Sequence, residues 1–385
     1  MTKKLYDDAP YEKEFHAKIV EIKEEDKDKL VALNQTLFFP NEGGQNPDWG
    51  KLAGYEVKDV RIKEGIIWHR ISDECSLEVG DEVHGEIDFW HRYDLMQQHS
   101  GEHILSGVIY KKYGYTNVGF HLTEDIVTVD TSGPLTQEQI LELEMTVNNI
   151  IRENVKITTG YPCKEELSKL EYRSKKELNE EIRIVQIGEY DICACCAPHV
   201  ASTGEVMSLQ IVNWENYKGG VRLEIMCGNR AIKESIKQRL MLKQLSKELS
   251  AKQNSIVDSV KRLKEDNGKL KQEMANALNE LISMKAKAVE AKEHIVVFEK
   301  NLDGTAHRNY ANLLMEKAST VAAVLVTSSE EGEYRYIVGS NTLDMKKIQT
   351  ELKEKFEAKG GGKAPMIQGT LTGKKEEITK YFLSL

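Results

Sequence analysis

Residues 193–199 read Cys193-Ala194-Cys195-Cys196-Ala197-Pro198-His199, and they answer a stretch far upstream, Gln97-Gln98-His99-Ser100-Gly101-Glu102-His103. On a helix, side chains four residues apart lie one above the other, so His99 and His103 can aim two imidazoles at one ion. Cys195 and His199 repeat that spacing in a proline-containing segment, where a turn is expected rather than a helix. Two nitrogens from one element, with a sulfur and a nitrogen from another, make the soft four-ligand set that suits Zn²⁺. The plainer alternative is a pair of solvated helix histidines and an unrelated buried cysteine cluster. The two clusters together predict one zinc per chain, held by His99, His103, Cys195 and His199. Cys193 and Cys196 lie within reach of the same ion, and only the C-x-x-x-H register selects Cys195.

The first cluster also fits the H-x-x-E-H pattern of inverted zinc peptidases, in which the glutamate, here Glu102, is the general base. A five-residue pattern decides little, and the surrounding sequence is more specific. Residues 182–230, IRIVQIGEYDICACCAPHVASTGEVMSLQIVNWENYKGGVRLEIMCGNR, resemble the C-x-x-x-H half-site of the alanyl-tRNA synthetase editing domain. The family pattern is met in order by Arg183, Val185, Ile187-Gly188, Asp191, Cys195, His199-Val200, Thr203-Gly204-Glu205, Lys218-Gly219-Gly220 and Arg222. Upstream, Thr36-Leu37-Phe38-Phe39-Pro40 with Gly43-Gly44-Gln45 resembles the family's glycine motif, and Arg92 and Leu95-Met96-Gln97 fit as well. Residues 360–373, GGGKAPMIQGTLTG, resemble the glycine-rich signature of the DHH-associated domain that ends alanyl-tRNA synthetases.

About thirty residues precede the glycine motif, too few for a class II aminoacylation core, so no charging activity is expected. The resemblance is to long-form AlaX-type trans-editing proteins. It implies zinc-dependent hydrolysis, in the cytoplasm, of tRNA(Ala) mischarged with serine or glycine. It also implies an amino-acid pocket near His121, contact of Gly43, Gly44 and Gln45 with the acceptor end, and RNA binding at Gly360, Gly361, Gly362 and Lys363. The chain departs from the family at Gly101-Glu102 and at Cys195-Cys196-Ala197-Pro198-His199, where spacing survives but the intervening residues differ. Glu102 is the nearest candidate base, although helix neighbours point about 100° apart and it can face away from an ion that His103 binds.

At 385 residues with 40% hydrophobic content the chain is long enough for two or three cores. The opening, MTKKLYDDAPYEKEF, lacks the apolar core of a signal peptide, and no apolar run approaches the roughly 18 residues of a membrane span, so no membrane partner is expected. Six cysteines, four of them between 163 and 196, suit a reducing compartment and a metal site better than a disulfide framework. A net charge of −9 argues mildly against nucleic-acid binding, but residues 241–385 carry about +4 and residues 1–240 about −13, so phosphates would meet the C-terminal half more favourably.

The predicted class is α+β in four parts. Residues 1–90 alternate in short polar and apolar runs, as a β-barrel-like domain does. Residues 91–228 mix helix and strand as an α+β zinc-containing editing domain, with Thr136 and Gln139 placed to cap a helix after Pro134. Residues 229–293 are helical, and after an interruption at 250–255 they carry a coiled-coil seam: Ile256, Val260, Leu263, Asn267, Leu270, Met274, Ala277, Leu281, Met284 and Ala288. Asn267 would occupy an a position and specify a two-stranded pairing, hence a homodimer. The competing possibility is a helical hairpin turning at Asn267-Gly268. Residues 294–385 alternate strand and helix as an α/β, DHH-associated domain. Gly360-Gly361-Gly362-Lys363 is not a phosphate loop, because Ala364 stands where Ser or Thr is needed.

An aminoacyl ester is already activated and needs a positioned water and a stabilised oxyanion. Zinc there can polarise the carbonyl, acidify a water or hold the amino group. The alternative of another class is a tRNA-binding module whose zinc is purely structural.

Overall fold

The computed structural model describes all residues except 26, 73, 175–181 and 329–331. The chain divides into two compact units, Met1–Leu242 and Lys243–Leu385. No described helix is long and apolar enough to cross a membrane.

The first unit opens with a seven-stranded antiparallel sheet. Its strands are β1 (Glu14–Glu25), β2 (Asp28–Leu33), β3 (Gly50–Leu52), β4 (Tyr55–Glu56), β5 (Asp59–Lys63), β6 (Ile66–Ser72) and β7 (Glu82–Ile87), in the spatial order β4-β3-β7-β1-β2-β6-β5. The two edge strands, β4 and β5, are separated in sequence by Val57 and Lys58 alone, so the sheet has to curl back on itself. The result is a half-barrel. The twelve-residue β1 makes the bend: it pairs with β7 through Lys18, shifts register between Ile19 and Glu21, and pairs with β2 beyond. Phe15, Ala17, Ile19, Val31, Leu33, Leu37, Phe38 and Phe39 fill the concave side.

Asp88 then starts α1 (Phe89–Tyr113) by accepting the Trp90 and His91 amides at 3.0 and 3.1 Å, and Gly114, left-handed at φ 71°, ends it. A Cβ at Gly101 would lie 2.3 Å from Cys227 Sγ, so only glycine lets this helix press so closely on the sheet beneath. That sheet has four strands, β8 (Asn117–Leu122), β9 (Val127–Thr131), β13 (Leu209–Tyr217) and β14 (Gly220–Cys227), in the order β8-β9-β14-β13. The predicted capping box is present: Thr136 and Gln139 start α2 (Gln137–Glu153), whose Ile140, Leu143, Val147, Ile150 and Ile151 face the same core. A three-stranded sheet, β10 (Ile157–Gly160), β11 (Ile184–Ile187) and β12 (Asp191–Ala194), completes the unit, and α3 (Gly228–Glu248) leads out of it.

The second unit contains α4 (Ile256–Ala288), which runs without interruption through Asn267-Gly268, so the hairpin alternative is excluded. Leu278, Ile282 and Ala286 turn inward onto Ala306, Tyr310 and Leu314 of α5 (Gly304–Met315). The heptad face lies beside that buried stripe and, beyond the buried Ile256, is open to solvent, with Leu263, Leu270, Met274 and Met284 60–69% exposed. A five-stranded sheet follows: β15 (Lys292–Glu299), β16 (Ala318–Thr327), β17 (Glu333–Gly339), β18 (Lys359–Lys363) and β19 (Met366–Thr372), ordered β15-β16-β17-β19-β18, with α6 (Met345–Phe356) and α7 (Lys375–Leu383) packed on it. Gly360, Gly361, Gly362 and Lys363, the residues to which the resemblance assigns RNA binding, do not form a loop. They belong instead to edge strand β18, in register with Ile367–Gly369 and Met366, and the chain reverses at Ala364-Pro365.

Candidate metal centre

Helix α1 carries His99 and His103 on one line, and the turn after β12 carries Cys195 and His199 up to them. That turn is held by Arg183, whose Nη1 donates to the carbonyls of Cys195 at 3.1 Å and Ala197 at 2.8 Å, while the Cys195 amide donates to the Arg183 carbonyl at 3.0 Å. Cys195 sits where the half-barrel core and the α1–α2 core meet. The three histidines are at most 3% exposed, and one ligand atom from each of the four residues lies within 4.8 Å of all the others. Cys195 Sγ is 3.6 Å from His99 Nε2 and 3.5 Å from His199 Nε2. Zinc bonds of about 2.0 Å to nitrogen and 2.3 Å to sulfur, at tetrahedral angles, set sulfur and nitrogen about 3.6 Å apart. The donor set and its spacing therefore fit zinc.

Each imidazole has its other nitrogen engaged. His103 Nδ1 is 2.9 Å from Asp191 Oδ2, His99 Nδ1 is 2.7 Å from Gln45 Oε1, and His199 Nδ1 is 3.0 Å from Ser100 Oγ. A carboxylate only accepts, so His103 donates from Nδ1 and its Nε2 lone pair is free for a metal. Arg173 clasps Asp191 from the far side at 2.7 and 2.8 Å. Burial alone would raise the Asp191 carboxyl, but its bonds to His103 and Arg173 outweigh that and hold it below the ordinary carboxylate value. Burial, followed by the neighbouring His103 and His99, pushes His199 well below the usual imidazole value, so it is neutral and able to ligate. Burial pushes the Cys195 thiol up, so zinc binding there displaces a proton.

The glycine motif is part of the same assembly. Gly43 and Gly44 have φ of 65° and 85°, and a Cβ on Gly44 would fall 2.5 Å from the Phe120 carbonyl. The Leu122 amide donates to the Gly44 carbonyl at 2.7 Å, which docks the turn on β8. Beyond it, Asp48 is paired with fully buried Arg92 of α1, whose Nε donates to it at 2.8 Å and whose Nη2 donates to the Leu37 carbonyl at 2.5 Å.

Residues 182–224 match the family model for the threonyl and alanyl tRNA synthetase second additional domain, residues 5–91 the model for class II (A) tRNA synthetases, and residues 291–384 the DHHA1 domain. The alanyl-tRNA editing protein AlaX-L of Pyrococcus horikoshii is 29% identical over 400 residues, covering 98% of this chain and 96% of the relative. The chain is thus similar to alanyl-tRNA editing proteins along nearly its whole length. It is also 29% identical over 392 residues to the alanine-tRNA ligase of Pyrococcus abyssi and 30% identical over 384 residues to that of Sulfurisphaera tokodaii, covering 96% and 94% of this chain. It spans 42% and 41% of the lengths of those two ligases.

The four predicted ligands converge, and three other predicted site residues stand differently from expectation. Glu102 is buried, but its carboxylate accepts from Ser106 and Asn117 rather than joining the ligand group, because it lies one position round the helix from His103. His121 is exposed: β8 alternates, so Phe120 turns inward, with its ring 4.8 Å from that of His99, and His121 turns out. Gln45 is fully buried against His99 and offers no surface contact. Of the rival thiols, Cys196 lies beside Gly43, and Cys193 forms a second close group with His103 and Asp191. The sequence reading did not assign roles to Ser100, Phe120, Asp191 and Arg173. Asp191 had a signal, its place in the family pattern; Arg173 had none.

Proposed function

We propose that the chain is a zinc-dependent deacylase that hydrolyses tRNA(Ala) mischarged with serine, and with glycine as the second substrate, acting in trans in the cytoplasm. One observation carries the reading: three imidazoles and a thiol converge in one buried cluster, with every imidazole Nδ1 already held by a neighbouring side chain. Zinc bound there supplies Lewis acidity toward an ester or a water. The protein's own contribution is orientation. Asp191 and Arg173 fix the His103 ring, Ser100 the His199 ring, and Arg183 the turn that carries Cys195. Glu102, fastened to Ser106 and Asn117, ties α1 to β8 and is not assigned as the base. Residues 91–228 form the editing domain, the α4 seam pairs two chains, and edge strand β18 with Lys363 presents open backbone and positive charge to RNA.

A second reading is favoured by the number of donors. Four protein ligands close a zinc shell, as in structural sites, whereas catalytic sites keep a position open. The chain would then be a tRNA-binding module. Rates of hydrolysis of Ser-tRNA(Ala), Gly-tRNA(Ala) and Ala-tRNA(Ala) separate the two. A site built around the serine hydroxyl rejects alanine by about 10⁴, since its polar groups are left unpaired by a methyl. The expected result is fast seryl release with the alanyl ester intact; tRNA binding without release of either ester establishes the module.

A further inference from the structure

The glycine turn ends in a side chain that is only half engaged. Gln45 is 0% exposed and its Oε1 lies against His99 Nδ1, yet its Nε2 has no hydrogen-bond partner among the described residues. Chemistry fixes which end is which. His99 Nε2 faces Cys195 Sγ and must keep its lone pair to ligate, so Nδ1 carries the proton and only the amide oxygen can receive it. The two N–H groups of Nε2 then point away from the ring with nothing to receive them. A buried donor left in this state costs about 1–3 kcal/mol, and such groups in native proteins have a reason to be there. The turn that holds Gln45 is docked on both sides: Gly44 on β8 through Leu122, and Asp48 on α1 through Arg92. Gly43 and Gly44, next to it in the same turn, are exposed.

We propose that Gln45 serves the site twice: as the positioning residue that locks His99 with Nε2 toward the metal, and as the donor that receives the carbonyl oxygen of the ester. The proposal rests on the deacylase reading. An N–H₂ group can only donate, so its partner is an acceptor oxygen, and the carbonyl oxygen is the acceptor whose charge grows during reaction. Addition of water to the ester carbon moves the C=O π pair onto that oxygen. Collapse re-forms the carbonyl and expels the ribose oxygen, which takes one proton of the water; the other leaves the amino acid's new carboxyl group. A donor aimed at the growing charge favours the transition state over the bound ester.

Two variants separate the roles. Gln45→Leu removes both, and Gln45→Glu keeps an acceptor for His99 while removing the donor. Zinc affinity is read by competition with a chromophoric chelator, and kcat and KM on Ser-tRNA(Ala) are read at saturating zinc. The leucine variant is expected to lose about 10–100-fold in zinc affinity, the usual cost of an outer partner. The glutamate variant is expected to retain the parent's zinc affinity but lose about 10²–10³ in kcat with KM unchanged, as when one oxyanion donor is removed. Parental zinc affinity in Gln45→Leu overturns the positioning role, and parental kcat in Gln45→Glu overturns the donor role. Should the leucine variant not fold, Gln45→Asn, one methylene too short to reach the His99 ring, reads the positioning role by the same zinc competition, with parental affinity overturning it, and Gln45→Glu still decides the donor role. If the parent chain itself fails to hydrolyse the ester, the deacylase reading falls and takes the donor role with it, while the zinc measurement still decides the positioning role.

Discussion

Helices α1 and α4 reverse the usual relation between polarity and burial. Along α1, Gln97, Gln98, His99, Ser100, Glu102, His103 and Ser106 are all at most 4% exposed, whereas along α4, Val260, Leu263, Leu270, Met274, Leu281 and Met284 are 40–69% exposed. Burying polar groups is costly unless each is bonded, and a long apolar stripe in water is equally unfavourable. Each exception therefore identifies what the element is for. The polar groups of α1 are bonded to Gln45, Asp191, Asn117 and Cys227, and ligand atoms of its two histidines lie within 4.8 Å of those of Cys195 and His199. The apolar groups of α4 repeat with coiled-coil spacing and suit a second helix.

The largest effect that would break this contrast comes from inside α1. Replacing His103 with Ala is expected to remove zinc and with it ester hydrolysis, a loss larger than the roughly 10–100-fold cost of an outer partner; full zinc content in that variant would refute the ligand assignment. Acid presses on a separate buried polar group, on strand β6 of the half-barrel. His69, 0% exposed and hydrogen-bonded to Thr36 and Val31, has its imidazole lowered by burial from 6.5 to about 4. A depressed imidazole gives stability that is full above the unfolded value and is lost as pH falls from about 6.5 toward 4, amounting to about 3 kcal/mol. Chemical denaturation across that window should show the fall, and His69→Gln should flatten it. Replacing Asp191 with Ala should weaken zinc by about 10–100-fold, measured by chelator competition, because His103 loses its anchor.

The smallest effect on stability is expected on α4. Leu263→Lys with Leu270→Lys touches side chains 60% and 63% exposed and should change monomer stability by less than about 0.5 kcal/mol each. The same pair should abolish dimerisation in sedimentation at micromolar concentration, whereas Asn267→Leu should strengthen it. A parent chain that sediments as a monomer removes the seam's assigned purpose.

What the sequence showed and what it hid follow from the range of the interactions involved. The four-residue spacings, the Thr136–Gln139 capping box and the heptads are local, and a periodic element reports them directly. The side on which a neighbour falls is also local in principle, yet His121 and Phe120 were separated only when β8 had a packed face. Glu102 was legible as a helix neighbour of His103 but not as the partner of Asn117, which lies on another element. The clasp of Arg173 on Asp191 joins positions that no repeat relates, and the fate of Gly360–Lys363 depended on pairing with Ile367 and its neighbours.

The central claim is that the buried polar cluster of α1 is a zinc-dependent esterase site. It is tested most directly on one preparation of the full chain, assayed for bound metal and for release of serine from Ser-tRNA(Ala), before chelation, after chelation and after zinc is restored. The account predicts close to one zinc per chain, activity lost with the metal and regained with it. Undiminished hydrolysis by metal-free, folded protein would contradict it.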